Sequence, residues 1–422
     1  MYKWATDLFP ICRSITGPGV RHTLAYLTEL IPELIVHEVK SGTTAFNWTV
    51  PDEWTIRDAY IADDFGVRII DFKKNNLHVL GYSEPVDLWL DREDLLKYLY
   101  SLPEQPDAIP YITSYYERRW GFCLTDNQLK SILPGRYHVF IDSDLKPGVL
   151  NYGEIILKGK EDSEILLSTY VCHPSMGNNE ISGIVVTCAL TQWLRNLENR
   201  RFTYRILFLP ETIGSIVYLS LHSQWMKEKT IAGFVITCVG DDNSYSFMPS
   251  RRGKSIADRV AKYALDNYVD KYISYSFLDR GSDERQYNSP LIDLPVVSIM
   301  RSKYGTYPEY HTSLDDMSYI SQVGLDGSFR IIKKCLSIFE INEKYLVTIE
   351  CEPQLGKIGL YPSLSTKNSG FEVKAMMDLL AYADGELDLL GIATIIGVDV
   401  IECSRIANML EQYGLLKTLK DN

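Results

Sequence analysis

The spacing of apolar residues changes along the chain, and each change predicts a different kind of structure. Within residues 17–32 the apolar side chains recur at helical spacing and stop at Pro32, which predicts an amphipathic helix. Residues 34–42 alternate apolar and polar side chains and end in glycine, as a β-strand does. A helix followed by a strand therefore opens the chain.

Residues 45–152 have the pattern of a β-rich module. Short apolar stretches are separated by turn residues, and tryptophan and tyrosine are frequent. These rings either form the core of the module, wall a cleft or stack on a sugar-like group, and the pattern does not separate the three uses. The rings in question are Trp48, Trp54, Tyr115, Tyr116 and Trp120.

Three later segments, residues 163–173, 203–211 and 231–240, are nearly continuous apolar runs. Such runs are typical of central strands that are buried on both faces. Helical patterns separate them, and this alternation predicts an α/β sandwich. We expect that domain to comprise residues 1–44 and 153–352, with residues 45–152 as an inserted β-rich domain.

Residues 356–422 show three helical patterns and then an apolar pair, which predicts a winged-helix domain. The third helical pattern, VIECSRIANMLEQYG, contains one basic residue, Arg405. The whole segment has nine acidic residues and six basic ones, a poor composition for contacts with phosphates. A role in protein contact or dimerisation is therefore favoured over nucleic-acid binding.

Composition narrows the function classes further. The 422 residues are 45% apolar and 23% charged, which is ordinary for a globular protein with a large core. The net charge of -12 disfavours binding to nucleic acid or to an anionic membrane. No apolar run of about 18 residues predicts a membrane helix. The eight cysteines form no CxxC pair, so we expect a cytoplasmic protein.

Residues able to carry chemistry follow the buried runs. His173 ends the first run, and Asn179 and Glu180 come shortly after it, before a helix that opens at Ser182. Ligand-binding groups in open α/β sheets lie at the carboxyl ends of strands. Imidazole and carboxylate are also zinc ligands. The alternative is a histidine that only packs against its neighbours.

Two further elements contribute acidic and basic groups. Glu211 ends the second run within LFLPETIGS, where it is a general base, a metal ligand or a charge favoured by the helix dipole. The polar loop of residues 279–290 carries Asp283, a candidate ligand or acid/base group. It also carries Arg280 and Arg285, which can bind a carboxylate. The alternative interpretation of residues 279–290 is a surface loop with internal ion pairs.

A second histidine, His311, follows the next strand pattern within YPEYHTSLDD. The chain has seven histidines, so two of them at strand exits of one predicted sheet are informative. Together these four elements indicate a metal centre more strongly than any one of them does.

In this order, the motifs CHPSM, NNE before SG, PETIGS, GSDERQY and PEYHTS resemble those of a zinc-dependent aminopeptidase superfamily. That superfamily includes bacterial leucyl aminopeptidases and glutaminyl cyclases. More closely, the motifs resemble an aminopeptidase-like family in which a β module is inserted into the peptidase domain and a winged helix follows. Its members often occur with polysaccharide-biosynthesis proteins. The resemblance covers essentially the whole chain.

The sequence departs from the dinuclear aminopeptidase pattern at three places. Asn179 stands where the bridging aspartate is expected, and Val239 and Gly240 stand where a second aspartate ligand is expected. The acidic pair before GS is reduced to Glu211, which follows Pro210. The resemblance therefore implies one zinc ion rather than two.

A catalytic zinc ion has three protein ligands and an open fourth position. The resemblance implies that His173, Glu180 and His311 are those ligands. Asn179, Asp283 and Glu211 are the alternatives for completing the set.

The leading hypothesis is a mononuclear zinc hydrolase that cleaves an amide bond in a small or modified, peptide-like substrate. Glu211 takes a proton as general base, and Asp283 is a second catalytic group. The residues expected to contact the substrate are Arg280, Arg285 and Tyr310. The alternatives are a scaffold protein whose metal site has decayed and a regulator that binds DNA through the winged helix.

Overall fold

A mixed eight-stranded sheet organises the first of two structural units, Met1–Ile332, in the computed structural model. The second unit is Lys333–Asn422, and the structure describes residues 1–360 and 367–419. The helices are α1 Tyr2–Leu8, α2 Pro18–Leu30, α3 Arg92–Leu95, α4 Asp126–Ser131, α5 Ser182–Arg195, α6 Ile213–Lys229, α7 Ile256–Tyr268, α8 Glu284–Tyr287, α9 Gln322–Ile341, α10 Lys367–Tyr382, α11 Leu389–Ile396 and α12 Val400–Gln412.

The strands of the large sheet have the order β1-β10-β12-β11-β13-β16-β14-β15. Their bounds are β1 Ile35–Lys40, β10 Val149–Leu157, β11 Glu164–Tyr170, β12 Thr203–Leu209, β13 Thr230–Val235, β14 Tyr245–Met248, β15 Tyr272–Ser274 and β16 Val296–Met300. The pairs β11–β12, β11–β13 and β13–β16 are parallel. Every residue of β11 and β12 is buried, which explains why both segments are continuous apolar runs.

Helices cover both faces of this sheet. The backbone at Gly153 in β10 lies against Leu24 of α2, and a β-carbon there would approach that leucine side chain to 3.0 Å. The next residue, Glu154, points to the opposite face, where its carboxylate accepts a hydrogen bond from Tyr218 of α6. The arrangement is the α/β/α sandwich that the alternation of strands and helices predicts.

The remaining strands of the first unit lie between β1 and β10. They are β2 Thr44–Ala45, β3 Trp48–Thr49, β4 Glu53–Ala62, β5 Arg68–Asp71, β6 Val86–Asp91, β7 Leu99–Tyr100, β8 Phe122–Cys123 and β9 Arg136–Lys146. Strands β5, β4, β9 and β6 form an antiparallel sheet in that order. Residues 45–152, which include this sheet, are called the inserted module. Trp54 is buried in the hydrophobic core beneath it, whereas Tyr116 is 56% exposed.

The second unit contains a three-stranded sheet with the order β18-β17-β19. Its strands are β17 Lys344–Val347, β18 Asp384–Asp388 and β19 Leu416–Leu419. The sequence analysis assigned residues 344–347 to the α/β domain, but β17 pairs with β18 and β19. That pairing joins segments far apart in the chain, so local periodicity gives no sign of it.

All eight cysteines are free thiols. Among the described residues, no helix combines the length and the apolar composition that crossing a membrane requires.

Candidate metal centre and active site

His173 lies just beyond the carboxyl end of β11, as the sequence predicts. Its ring is buried, and Nδ1 lies 2.9 Å from Oε2 of Glu180. Glu180 belongs to a π-helical turn, Gly177–Ile181, that runs directly into α5. Such turns are uncommon and occur frequently at functional sites. Here the turn places a carboxylate behind the imidazole.

Arg13 completes this side of the site, although no motif of the sequence marks it. Its Nε lies 3.4 Å from Oε1 of Glu180, with both side chains fully buried. The same Nε donates to the backbone oxygen of His173 at 2.9 Å. Burial raises the pKa of Glu180 to about 8, while the charge of Arg13 acts in the opposite direction. The guanidinium therefore balances the one carboxylate that contacts Nδ1.

Glu211 approaches His173 from the other side. Its Oε2 lies 3.7 Å from Nε2 of His173, and its Oε1 accepts a hydrogen bond from Ser282 Oγ at 2.8 Å. The amide of Glu211 donates to Cys172 Sγ at 3.2 Å, which ties the end of β12 to the end of β11. Burial, together with the charge of the nearby Asp283, raises the pKa of Glu211 to about 8.

His311 joins the same group, with its ring centroid 5.3 Å from that of His173. Tyr310 stacks on it at 3.9 Å between ring centroids. His311 Nε2 is buried and has no hydrogen-bond partner among the residues that the structure describes. Burial lowers the pKa of both histidines to about 3, so both rings are neutral near pH 7 and available as ligands.

Asp283 lies near Glu211, and its hydrogen bonds are to Thr212 and Ser215 rather than to a histidine. Its Oδ1 accepts hydrogen bonds from Thr212 N and Ser215 Oγ, each at 2.8 Å, at the start of α6. Its Oδ2 is buried without a partner in the described part of the chain. Burial raises the pKa of Asp283 to about 6. Asp283 thus fixes the turn after Glu211 and keeps one carboxylate oxygen free.

The predicted substrate-contacting residues are placed unequally. Tyr310 is part of the histidine cluster. Arg285 is exposed and donates to Thr212 Oγ1 at 2.8 Å, one residue from Glu211. Arg280 is exposed and lies over the Phe277 ring at 5.0 Å. The structure therefore brings Tyr310 and Arg285 to the site and leaves Arg280 on the surface of its loop.

Asn179 is held in the core rather than turned toward the histidines. Its Oδ1 accepts a hydrogen bond from Tyr170 OH at 3.0 Å, and its backbone N–H donates to Oδ2 of Asp315 at 2.9 Å. Asp315 also accepts from the amide of Asn178 at 2.6 Å, so it anchors the π-helical turn. The sequence analysis missed Asp315, although it is an acid four residues after His311.

The inserted module supplies a side chain that the sequence analysis did not select. Tyr111 contacts both histidine rings, with centroid distances of 5.3 Å to His173 and 5.2 Å to His311. Its hydroxyl lies 2.7 Å from that of Tyr115. Of the aromatic residues that the sequence analysis named in the module, Tyr115 is thus linked to the site through Tyr111.

These residues offer two ways to hold a metal ion at His173. On the Nδ1 side, Cys172, His173 and Glu180 place donor atoms within 4.8 Å of one another. That side already holds the Arg13 cation, and a separation of 2.9 Å between Nδ1 and Glu180 is a hydrogen-bond distance.

The Nε2 side offers one pair of donor atoms at a separation that a metal ion can bridge. Two ligands of a tetrahedral zinc ion lie about 3.4 Å apart, given metal–ligand bonds near 2.1 Å. The 3.7 Å between His173 Nε2 and Glu211 Oε2 is close to that separation. The unpartnered Nε2 of His311 lies in the same cluster of rings. Among the described residues, however, only Cys172, His173 and Glu180 bring three donor atoms within 4.8 Å of one another, so His311 has to move closer to complete this set. The chemistry of the donor set is that of a two-histidine, one-carboxylate metal site.

Known proteins match the whole chain. Residues 2–342 match the family model of a domain of unknown function, DUF4910, and residues 343–418 match a winged helix-turn-helix model. A Clostridium acetobutylicum protein, provisionally named a polysaccharide biosynthesis protein with an aminopeptidase-like domain, is 42% identical over 419 residues. The match covers 99% of this chain and 96% of that protein.

Solved structures agree with this match. The crystal structure of a provisionally assigned peptidase from Clostridium acetobutylicum has a TM-score of 0.93 at 41% identity, covering 99% of this chain and 96% of that one. A zinc aminopeptidase from Bacillus subtilis has a TM-score of 0.57 at 11% identity, covering 79% of this chain and 94% of that one.

A peptidase M28 precursor from Shewanella amazonensis has a TM-score of 0.56 at 12% identity, covering 83% of this chain and 94% of that one. At such low identities, the two peptidase likenesses show a shared fold. They confirm the predicted zinc-exopeptidase-like α/β architecture, and the second family model confirms the winged helix. In this chain an aminopeptidase-like α/β domain precedes a winged helix. The chain therefore belongs to the DUF4910 family.

Proposed function

We propose that this protein is a zinc-dependent hydrolase that cleaves an amide bond. The observation that carries the proposal is the 3.7 Å approach of Glu211 to Nε2 of His173, in the cluster of rings that also contains the unpartnered Nε2 of His311. A buried pair of neutral imidazoles with a carboxylate is a common set of ligands for a catalytic zinc ion. The aminopeptidase-like fold supports the same reaction class.

The proposed ligands are His173 through Nε2, His311 through Nε2, and Glu211. Zinc in that position supplies a Lewis acid that polarises a scissile carbonyl. Glu180 is then a positioning residue rather than a ligand, because it lies at hydrogen-bond distance from Nδ1 and so presents Nε2 toward the metal side. This assignment differs from the sequence-based one, in which Glu180 is a ligand and Glu211 is the general base.

Proton transfer falls to Asp283 in this proposal. Its pKa of about 6 leaves it mostly ionised at pH 7, and its Oδ2 is free to accept a proton. Arg285, exposed beside Glu211, orients the substrate through a carboxylate or another anionic group.

The substrate is proposed to be small or modified, such as an aminoacyl or acyl amide attached to a sugar. The Clostridium acetobutylicum relative supports this idea, since its provisional name refers to polysaccharide biosynthesis. We also propose a cytoplasmic location, since the eight thiols are all free.

Elemental analysis of protein purified without a histidine tag tests the metal. We expect one zinc ion per chain, lost in His173→Ala and His311→Ala. Protein that contains no zinc and gains none on addition of metal would identify a scaffold instead.

Two variants separate the roles of the acids. Glu211→Gln is expected to lose zinc, and Asp283→Asn is expected to keep zinc and lose hydrolysis of aminoacyl and acyl-sugar amides. A Glu211→Gln variant that keeps zinc but not activity would return the base role to Glu211.

The winged helix is proposed to contact protein rather than nucleic acid. Arg405, the one basic residue of α12, is bonded to Glu402 and to Glu372 at 2.7 Å each. Its charge is therefore balanced by carboxylates and is not available to a phosphate. Size-exclusion chromatography with light scattering tests the resulting expectation of a dimer or of a complex with another protein.

A further inference from the structure

A short segment of the inserted module pairs with the backbone around His311. The amide of Tyr111 donates to His311 O at 2.9 Å, and the amide of Ser313 donates to Ile109 O at 2.9 Å. The amide of Ile109 in turn donates to Ser313 Oγ at 3.0 Å. Together with the bridge between Pro110 and Thr312, these bonds form a small antiparallel ladder.

The backbone of His311 has a conformation that needs such support. Its φ is +56°, in the left-handed region that side chains with a β-carbon rarely adopt. Residues in that region persist only where the surrounding structure fixes them, and they cluster at functional sites. A further bond from Gln105 Nε2 to Pro308 O, at 2.8 Å, holds the same loop three residues earlier.

The side chain of Tyr111 acts on the rings themselves. It packs edge-on against His311, at an interplanar angle of 86°, and tilted against His173. One ring of the module therefore contacts both imidazoles. Groups that orient a ligand histidine without touching the metal influence metal affinity strongly.

We propose that the inserted module is a working part of the metal site, with Tyr111 as a positioning residue that holds His173 and His311 in their metal-binding orientation. This inference rests on the proposed function, because it concerns the same donor atoms. It gives the insertion a role at the metal centre, through contacts that Tyr111 makes with both histidines.

The test uses the full-length chain and three tyrosine variants. Tyr111→Ala removes the ring, and Tyr111→Phe keeps the ring but loses the bond to Tyr115. Tyr116→Ala is the matched control, because Tyr116 lies in the same module and its ring packs against Trp48 rather than against a histidine. Zinc affinity is measured by competition with a chelator, and the ligand geometry is read from the absorption spectrum of the cobalt-substituted protein.

We expect Tyr111→Ala to bind zinc about 10- to 100-fold more weakly and to shift the cobalt spectrum. Tyr111→Phe and Tyr116→Ala should retain the affinity and the spectrum of the wild type. Wild-type affinity and spectrum in Tyr111→Ala would overturn the proposal, and so would an equal loss in Tyr116→Ala.

Gln105→Ala keeps the test decisive if Tyr111→Ala fails to fold. It removes a single side-chain bond to the His311 loop, and it should weaken zinc binding without changing the thermal unfolding of the chain. Unchanged affinity in a folded Gln105→Ala, together with a Tyr111→Ala that does not fold, would overturn the positioning role. A wild-type protein that binds neither zinc nor cobalt would instead overturn the proposed function itself.

Discussion

Nδ1 of His173 lies 2.9 Å from Oε2 of Glu180, which is a hydrogen-bond distance. This edge of the imidazole is therefore occupied by a buried carboxyl group. Glu180 is itself paired with the buried Arg13. One oxygen of Glu180 therefore lies near the Arg13 cation, and the other lies near Nδ1 of His173. With Nδ1 held in this way, Nε2 points away from Glu180. In the proposed metal site, this relationship makes Glu180 a positioning residue and gives the ligand role to Glu211.

The first prediction concerns Glu180→Gln. The variant keeps the shape of the side chain but removes the carboxyl group that lies against Nδ1 of His173, so zinc affinity should fall about 10- to 100-fold. Glu164→Gln is the matched control, because Glu164 is also a buried carboxylate paired with an arginine, at a site away from the histidines. Chelator competition measures both variants, and equal losses would mean that Glu180 acts only through stability.

The pH dependence of zinc binding follows from the pKa values of the donors. Both histidines have a pKa of about 3, so they lose no proton on binding zinc near pH 7. Glu180 and Glu211 have pKa values of about 8, so protons bound to the carboxylates compete with the metal below that pH. Affinity should rise as the pH rises toward about 8 and then level off.

Zinc titrations between about pH 6 and pH 9 check this prediction, since that interval brackets both the carboxylates and an ordinary histidine. In Glu180→Gln the dependence should become shallower, because one of the two competing protons is gone. A rise in affinity centred near the ordinary histidine pKa of about 6.5 would contradict it, since it would show that the imidazoles titrate.

Much of the fold follows from patterns that local sequence contains. The buried strands β11 and β12 are continuous apolar runs, and their exits place His173 and Glu211 at one edge of the sheet. Arg13 could not be found in this way. It lies 160 residues before His173 in a segment without periodicity, and only the folded chain brings them together.

The same reason explains what else the sequence analysis missed. Tyr111 is one of 28 tyrosines, and nothing in its local pattern marks it as the ring that packs on the histidines. The resemblance implies that Glu180 is a ligand, and its carboxylate lies against Nδ1 of His173, whereas Glu211 lies nearer Nε2. Which imidazole nitrogen faces which carboxylate is a matter of side-chain geometry, and sequence spacing does not determine it.

The third prediction concerns the stability of the α/β domain. Arg205 is buried between two strands, with Nε 2.7 Å from Glu164 and Nη1 bonded to Glu154 and Tyr218. Arg205→Met leaves two buried carboxylates without their cation, and it should lower the free energy of unfolding by about 3–5 kcal/mol.

Denaturant unfolding measures this change, with Arg57→Met as the control. Arg57 pairs with two aspartates on the exposed face of the inserted module, where ion pairs contribute little. The control should therefore change stability far less than Arg205→Met. Equal effects would show that the buried network is not what stabilises the domain.

The last prediction is acid sensitivity of the inserted module through His78. The ring is buried, and Nδ1 lies 2.8 Å from the backbone oxygen of Cys123, an acceptor. Burial lowers the pKa of His78 below its ordinary value, so the unfolded chain takes up a proton at a higher pH than the folded chain does. Its contribution to stability is therefore complete above about pH 6.5 and is lost as the pH falls through that value, by at most about 1.4 kcal/mol per pH unit.

His78→Gln keeps a neutral donor and removes the titration, so its free energy of unfolding should fall less steeply between about pH 7 and pH 5 than that of the wild type. The exposed His22 provides the control, because His22→Gln should leave the wild-type slope unchanged. The comparison also separates the effect of the module from that of the metal centre, since His78 bonds to the backbone of Cys123 and not to a histidine of the site. Identical slopes in His78→Gln and the wild type would show that the acid sensitivity arises elsewhere in the chain.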